Sequence, residues 1–163
     1  MLVALDTNVL LDLAGESEDV TDAMLVVRRR LRSVQLLMPP TVQEELAEEA
    51  LHADDFTNRE RAQGAFELAH RWNVHLHRMI DAQHRMARRI GQHLRRGGLL
   101  PEEEVNDGRI IAESALLGCA LVLTSDEHLR GMDFERLTYE LRGFGLAPPV
   151  IATPREIVRK FFH

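Results

Sequence analysis

Four sets of carboxylates stand where an apolar run meets a polar turn. Asp6 directly follows "LVAL", and Val9, Leu10 and Leu11 resume the apolar run behind it. Asp126 follows "ALVLTS" in the same way. Glu44 and Glu45 come soon after "VQLLMPP", and Asp107 opens "NDGRIIAESALLG". A carboxylate flanked by apolar chain is costly to bury unpaired. Several gathered in one cleft repel one another, so some hold a proton or a cation neutralises them. Hard oxygen donors suit Mg²⁺ or Mn²⁺. A divalent ion held by carboxylates acidifies water and stabilises a phosphoryl transition state. The chemistry this residue set can do is nuclease chemistry.

Each acid also has a purely structural role open to it. Asn106 or Asp107 can cap a helix start. Thr41 with Glu44, and Thr124 with Glu127, fit capping boxes. Asp126 suits the positive end of a helix dipole. Asp6 has only a cap for a helix beginning at Thr7. It is the conjunction of acids that points to chemistry.

The elements that must position them alternate. "MLVAL" reads as a short buried strand, and residues 7 to 14 as a helix stopped by Gly15. Val20, Ala23, Met24, Val27 and Leu31 make an amphipathic helix over 18–33. "VQLLM" is a second strand, ended by Pro39 and Pro40. Helices follow from Thr41 to about Leu51 and from about Asp55 to Trp72. "NVHLH" reads as a third strand, and residues 80–96 as a basic helix closed by Gly97 and Gly98. A helix over 106–118 leads into the buried strand "ALVLT". "PPVIA" is the last strand, and "TPREIVRKFF" a helix with Pro154 near its first turn. Such alternation implies parallel βαβ units, an α/β fold with the sheet covered on both faces. Ligands bind beyond the carboxyl ends of strands in such sheets, so Asp6 and Asp126 can face one cleft.

Length and composition fit that picture. The 163 residues favour one domain, 1–163. Such a chain buries roughly 68–70% of its unfolded surface, enough for a core without staples. The one cysteine, Cys119, excludes a disulfide framework within the chain and a multi-cysteine zinc site. No signal peptide or membrane-spanning run is legible, and the cytoplasm is the expected compartment.

The net charge of −6 argues against a protein that coats nucleic acid, but the charge is segregated. Acids concentrate in "QEELAEEALHADD" and "PEEEVND", and bases in "VVRRRLR" and "HRMARRIGQHLRR". Arg85, Arg88, Arg89 and Arg96 recur at helical spacing and are the candidates for tracking an RNA phosphate backbone. His70, His75 and His77 are too few for zinc, with no cysteine or nearby acid to complete them. Trp72 and Tyr139 give little for base stacking.

The stretches "ALDTNVLLDL", "PPTVQEEL", "NDGRIIAESALLGCALVLTSDEHL" and "ATPREIV" resemble, in order, the successive motifs of the PIN domain family. The resemblance runs from residue 2 to about 158. It implies a three-layer α/β/α sandwich with a central, mainly parallel sheet, and residues 52–100 as a helical insertion beyond the compact pattern. It also implies a Mg²⁺- or Mn²⁺-dependent ribonuclease whose metal-binding and catalytic acids are Asp6, Glu45, Asp107 and Asp126. Asn8 and Thr124 match the polar residues that orient them. Hydrolysis of RNA to a 5′-phosphate, a homodimer and, for the VapC-type toxins of the family, an antitoxin partner are further implications. Helix phase agrees on the choice between neighbours: with Thr41 as N-cap, Glu44 falls at N3, and Glu45 projects about 100° further round.

Three rivals remain. A haloacid-dehalogenase phosphatase has D-x-D where this chain has Asn8. A receiver domain needs a phosphate-accepting Asp after its middle strand, and "NVHLHRM" has none. A PIN fold serving only as a binding or scaffold module, for RNA or a protein, is the alternative from another class.

Overall fold

The computed structural model describes residues 1–161. Five parallel strands form one sheet: β1 (Leu2–Leu5), β2 (Gln35–Met38), β3 (His75–Leu76), β4 (Leu121–Leu123) and β5 (Val150–Ala152), in the order β3-β2-β1-β4-β5. Around it lie α1 (Thr7–Ala14), α2 (Glu18–Arg30), α3 (Pro40–His52), α4 (Phe56–Arg71), α5 (Asp81–Arg96), α6 (Val105–Leu116), α7 (Glu127–Arg130), α8 (Phe134–Arg142) and α9 (Pro154–Phe161).

The pleat sorts the core into two halves, because successive strand residues point to opposite faces. Val3, Leu5, Leu36, Met38, Leu121 and Leu123 pack with α1, α2, α3, α4 and α9. Ala4, Leu37 and Val122, the residues between them, pack with α5, α6, α7 and α8. Burial on both faces explains the uninterrupted apolar runs of the central strands. The expected three-layer α/β/α sandwich is therefore observed, with a sheet that is wholly parallel.

Residues 52–100 do more than add helices. They supply α4 to one layer, the edge strand β3, and α5 to the other layer. The third strand is only two residues long, and both are exposed. Helices α7 and α8, between "ALVLTSD" and "PPVIA", are four and nine residues long and were not expected from the sequence. No helix among the described residues is long and apolar enough to cross a membrane.

Glycines position α6 at two places. Gly118, at φ +71°, ends the helix in the left-handed region and turns the chain toward β4. Gly91 of α5 meets Gly108 of α6 so closely that a Cβ built on Gly91 would lie 2.8 Å from the Gly108 carbonyl. The strand order reverses between β1 and β4, which opens a crevice at their carboxyl ends.

Candidate metal centre at the strand ends

A cleft of about 790 Å³ opens at the end of β1. Glu44, Glu45, Glu48 and Glu49 of α3 line one side, and Asp6, Thr7, Asn8, Asn106 and Asp107 line the rest.

Asp6 is 2% exposed and is the N-cap of α1. Its Oδ1 accepts the Thr7 amide at 2.7 Å, and its Oδ2 accepts the Thr124 hydroxyl at 2.6 Å. Burial pushes its carboxyl up to about 6; the Glu45 and Asp126 charges act the same way, against the Thr124 and Thr7 hydrogen bonds. Thr124, expected from the resemblance to orient an acid, donates its hydroxyl to Asp6. It does so at the end of β4 and is not a helix cap.

Glu45 is held by two neutral donors. The Thr7 hydroxyl donates to Oε2, and the Asn106 amide donates to Oε1 at 2.7 Å. Asn8, expected to orient a carboxylate, is instead exposed on the cleft wall. Its neighbour Thr7 takes that role, because the first turn of α1 directs residue 7 toward α3. Neither Thr7 nor Asn106 was singled out from the sequence for this purpose.

Asp107 lies in the first turn of α6, whose N-cap is Glu104, so neither Asn106 nor Asp107 is the cap. Its Oδ2 is buried with no hydrogen-bond partner among the described residues. Burial, followed by the charges of Asp126, Asp6, Glu104 and Glu45, pushes its carboxyl up to about 7. Asp126 is the N-cap of α7: its Oδ1 accepts the amides of His128 at 2.7 Å and Leu129 at 3.0 Å. It acts on Asp6 and Asp107 by charge, from beyond the cleft lining. The expected Thr124–Glu127 box is thus replaced by an aspartate cap.

The expected Thr41–Glu44 box is also absent. Pro39 is the N-cap of α3 and Pro40 its first residue, so Thr41 already lies inside the helix. Proline at that position has helical φ and lacks only an amide the helix would leave free. Thr41 donates from its amide and hydroxyl to Glu113 of α6, at 2.9 and 2.7 Å. Glu44 reaches outward to Arg109, 2.8 Å away.

Among the described residues, no three acidic, histidine or cysteine side chains form a ready-made cation cage. The donor set nonetheless fits a hard divalent ion. All its donors are carboxylate oxygens, one of them is buried without a partner, and two of the acids are raised partly by their neighbours' charge.

On α5, Arg85, Arg88, Arg89 and Arg96 are all exposed. Arg85 and Arg88 line a second pocket, of about 380 Å³, together with Arg109, Asp81, His84 and Glu44. Glu44 borders both cavities, whereas Arg89 and Arg96 line neither. Cys119 is buried, and burial pushes its thiol up to about 12, which removes it as a nucleophile at neutral pH.

No protein-family model matches the chain, and no curated protein matches it. Solved structures do. The chain is similar to VapBC2 from Rickettsia felis, solved bound to a promoter DNA fragment, at 11% identity and a TM-score of 0.64, over 94% of this chain and 98% of that one. It is similar to VapBC-1 from nontypeable Haemophilus influenzae at 15% identity and a TM-score of 0.59, over 94% and 98% of the two chains. VapBC-5 from Mycobacterium tuberculosis, a member of the VapBC family of toxin–antitoxin systems, aligns at 18% identity and a TM-score of 0.53, over 93% and 96%. The VapC component of such complexes is a PIN domain, and this chain has a PIN-like fold.

Proposed function

We propose that the chain is a divalent-metal-dependent ribonuclease of the VapC type, working as one domain, with Asp6, Glu45, Asp107 and Asp126 as its metal-binding and catalytic acids. The observation that carries this reading is the buried, unpartnered Oδ2 of Asp107, a residue of the cleft whose pKa is raised by burial and then by the charges of Asp126, Asp6, Glu104 and Glu45. Asp6, Glu45 and Asp107 hold Mg²⁺ or Mn²⁺, and Asp126 completes the site or helps hold a second ion. When bound, the ion offsets the charge that grows on the phosphoryl group and acidifies water.

The chain's own residues do the rest. Thr7 and Thr124 fix the Asp6 carboxylate through both oxygens. Thr7 and Asn106 do the same for Glu45. Orientation fixed before the substrate arrives costs no reorganisation during the reaction. Water attacks phosphorus and passes its proton to a neighbouring carboxylate. The bond to the 3′ oxygen breaks, that oxygen takes up a proton, and the products carry a 5′-phosphate and a 3′-hydroxyl. Arg85 and Arg88, beside the cleft, hold the RNA backbone. An antitoxin protein and a second copy of the chain are the partners of this reading.

One observation favours the alternative, a PIN-fold binding module. Both oxygens of Asp6, both of Glu45 and one of Asp126 are occupied by donors from the chain itself. Cleavage of a mixed RNA pool decides between them. The ribonuclease cuts with Mn²⁺, stops with EDTA, and loses activity in Asp107→Asn. RNA binding without any metal-dependent cut assigns the chain to the binding module.

A further inference from the structure

Glu113 is a charge in the core that the proposed chemistry does not use. It is 0% exposed, on α6, and α6 carries Asp107 near its other end. Its Oε2 accepts the Thr41 amide at 2.9 Å, its Oε1 accepts the Thr41 hydroxyl at 2.7 Å, and Arg109 stands 3.9 Å away. A carboxylate buried so deeply is costly even when hydrogen-bonded, and an apolar replacement is often no less stable.

The reason for a charge there lies in α3. A helix start leaves amides without partners, and a side chain just before the helix normally takes one of them. Pro39 occupies that place and provides no side-chain hydrogen bond. Pro40 has no amide, so Thr41 carries the first orphan donor. Glu113 takes it from a different helix, and its negative charge suits the positive end of α3. Asn106, Arg109 and Glu113 follow one another at spacings of three and four, so they share one face of α6. That face grips α3 at three points: Asn106 holds Glu45, Arg109 holds Glu44, and Glu113 holds Thr41.

We propose that Glu113 is a positioning residue for the acidic cleft: by capping α3 from α6, it fixes where Glu45 stands relative to Asp107. The proposal rests on reading those acids as a divalent-cation site. It is distinct from a role in stability alone, because it ties a buried glutamate to cation affinity through Thr41 and α3.

The test compares wild type with Glu113→Ala, Glu113→Gln and Thr41→Val at a temperature where each is folded. Two quantities are read: Mn²⁺ affinity by calorimetry, and hydrogen exchange of the Thr41 amide in metal-free protein. Glutamine keeps an acceptor for that amide, whereas alanine removes it. Glu113→Ala is expected to weaken Mn²⁺ binding by about 10-fold to 100-fold, as loss of a group that orients a metal ligand does. Its Thr41 amide exchanges faster while α9 amides do not. Glu113→Gln regains most of both properties. Thr41→Val, which keeps the amide and loses the hydroxyl, shows a smaller change in the same direction, and it carries the test if Glu113→Ala does not fold. A folded Glu113→Ala that binds Mn²⁺ as tightly as wild type overturns the positioning role. A Thr41 amide that stays protected overturns the cap. A wild type that binds no Mn²⁺ overturns the underlying cation-site reading instead, and exchange at Thr41 still decides the cap.

Discussion

Helix α6 borders two regions of opposite charge and opposite order. Toward α3 and β1 lie two acids held through both oxygens: Asp6 by Thr7 and Thr124, Glu45 by Thr7 and Asn106. Toward α5 lie Arg85, Arg88, Arg89 and Arg96, exposed and without a hydrogen bond or ion pair among the described residues. Under the proposed function the contrast has a physical reason. A reacting group must stand within a fraction of an ångström of its target, so its ligands are locked in advance. A flexible polyphosphate backbone needs charge at a certain place rather than an exact geometry, and solvated arginines supply it.

The largest expected effect comes from Asp107, the acid of the cleft whose buried Oδ2 has no partner among the described residues. Asp107→Asn is expected to abolish Mn²⁺ binding and cleavage. It also removes a like charge that Asp6 faces, together with the cost of burying that charge, and so should raise the metal-free stability. Calorimetry, RNA cleavage and thermal unfolding check the three parts. A variant that binds Mn²⁺ like wild type takes Asp107 out of the site.

The two regions meet at Gly91 and Gly108. A Cβ on Gly91 falls 2.8 Å from backbone atoms that cannot swing aside, so α5 must move off α6. Gly91→Ala should cost about 1–3 kcal/mol, the range for overpacking a close contact. Denaturant unfolding measures it. An unchanged midpoint means that the two helices slide apart freely and that α5 is not held in register with the cleft.

The acidic region should respond to pH. The folded-state values of Asp6 and Asp107, about 6 and about 7, exceed their ordinary value of 3.8. Between roughly pH 4 and pH 7 the folded chain therefore keeps protons that the unfolded chain has released, and these two acids lower stability as pH rises. Below that window they cost nothing, and above it their cost is constant. In EDTA, the melting temperature of wild type relative to Asp107→Asn should fall from pH 5 to pH 7.5. Stabilisation by Mn²⁺ should grow over the same interval, because binding must displace those protons. A difference independent of pH contradicts the raised values.

The basic region divides in turn. Arg85 and Arg88 share a pocket with Arg109 and Glu44, beside the acids, whereas Arg89 and Arg96 do not. Replacing the first pair with Gln should reduce the salt dependence of single-stranded RNA binding by about 1.4, at roughly 0.7 per contact. The second pair should leave it nearly unchanged. Equal losses from both pairs spread the RNA over the whole outer face of α5.

The fold was largely legible because the central strands are buried on both faces and read as apolar runs, and because Gly15, Gly97 and Gly118 mark helix ends. Asp6, Glu45 and Asp126 were legible because each follows such a run, and Asp107 because it opens the helix that leads into one. The partners that hold them were not. The Thr124 hydroxyl accepts the nearby Asp126 amide, but it donates to Asp6, 118 residues away. Asn106 read as a cap because it begins a polar turn, and only the packing of α6 on α3 turns it to Glu45. Glu113 gave no signal at all: an acid within "IIAESALL" is ordinary on a helix, and nothing local reveals that α3 lacks a cap.

Glu44 makes the smallest prediction and the sharpest comparison with its neighbour. A glutamate in a capping box with Thr41 would lose up to about 2 kcal/mol as alanine. No such box exists: the Thr41 amide belongs to Glu113, and Glu44 lies beyond the first turn, too far along to cap the helix start. Its one strong contact is Arg109, and its side chain is 58% exposed, so solvent screens the pair. Exposed pairs contribute about 0–1 kcal/mol. Glu44→Ala should therefore change stability by less than about 1 kcal/mol, and cleavage by less than about tenfold, the equivalent of 1.4 kcal/mol. Arg109, released from Glu44, still has Glu113 within 3.9 Å. Glu45→Gln keeps an acceptor for Thr7 or Asn106 and loses the charge, so it should remain folded and lose both Mn²⁺ affinity and cleavage. Unfolding, calorimetry and cleavage on the two variants decide the matter. If Glu44→Ala loses Mn²⁺ binding while Glu45→Gln keeps it, the cation sits between α3 and α5, beside Arg109, and the acidic site must be redrawn around Glu44.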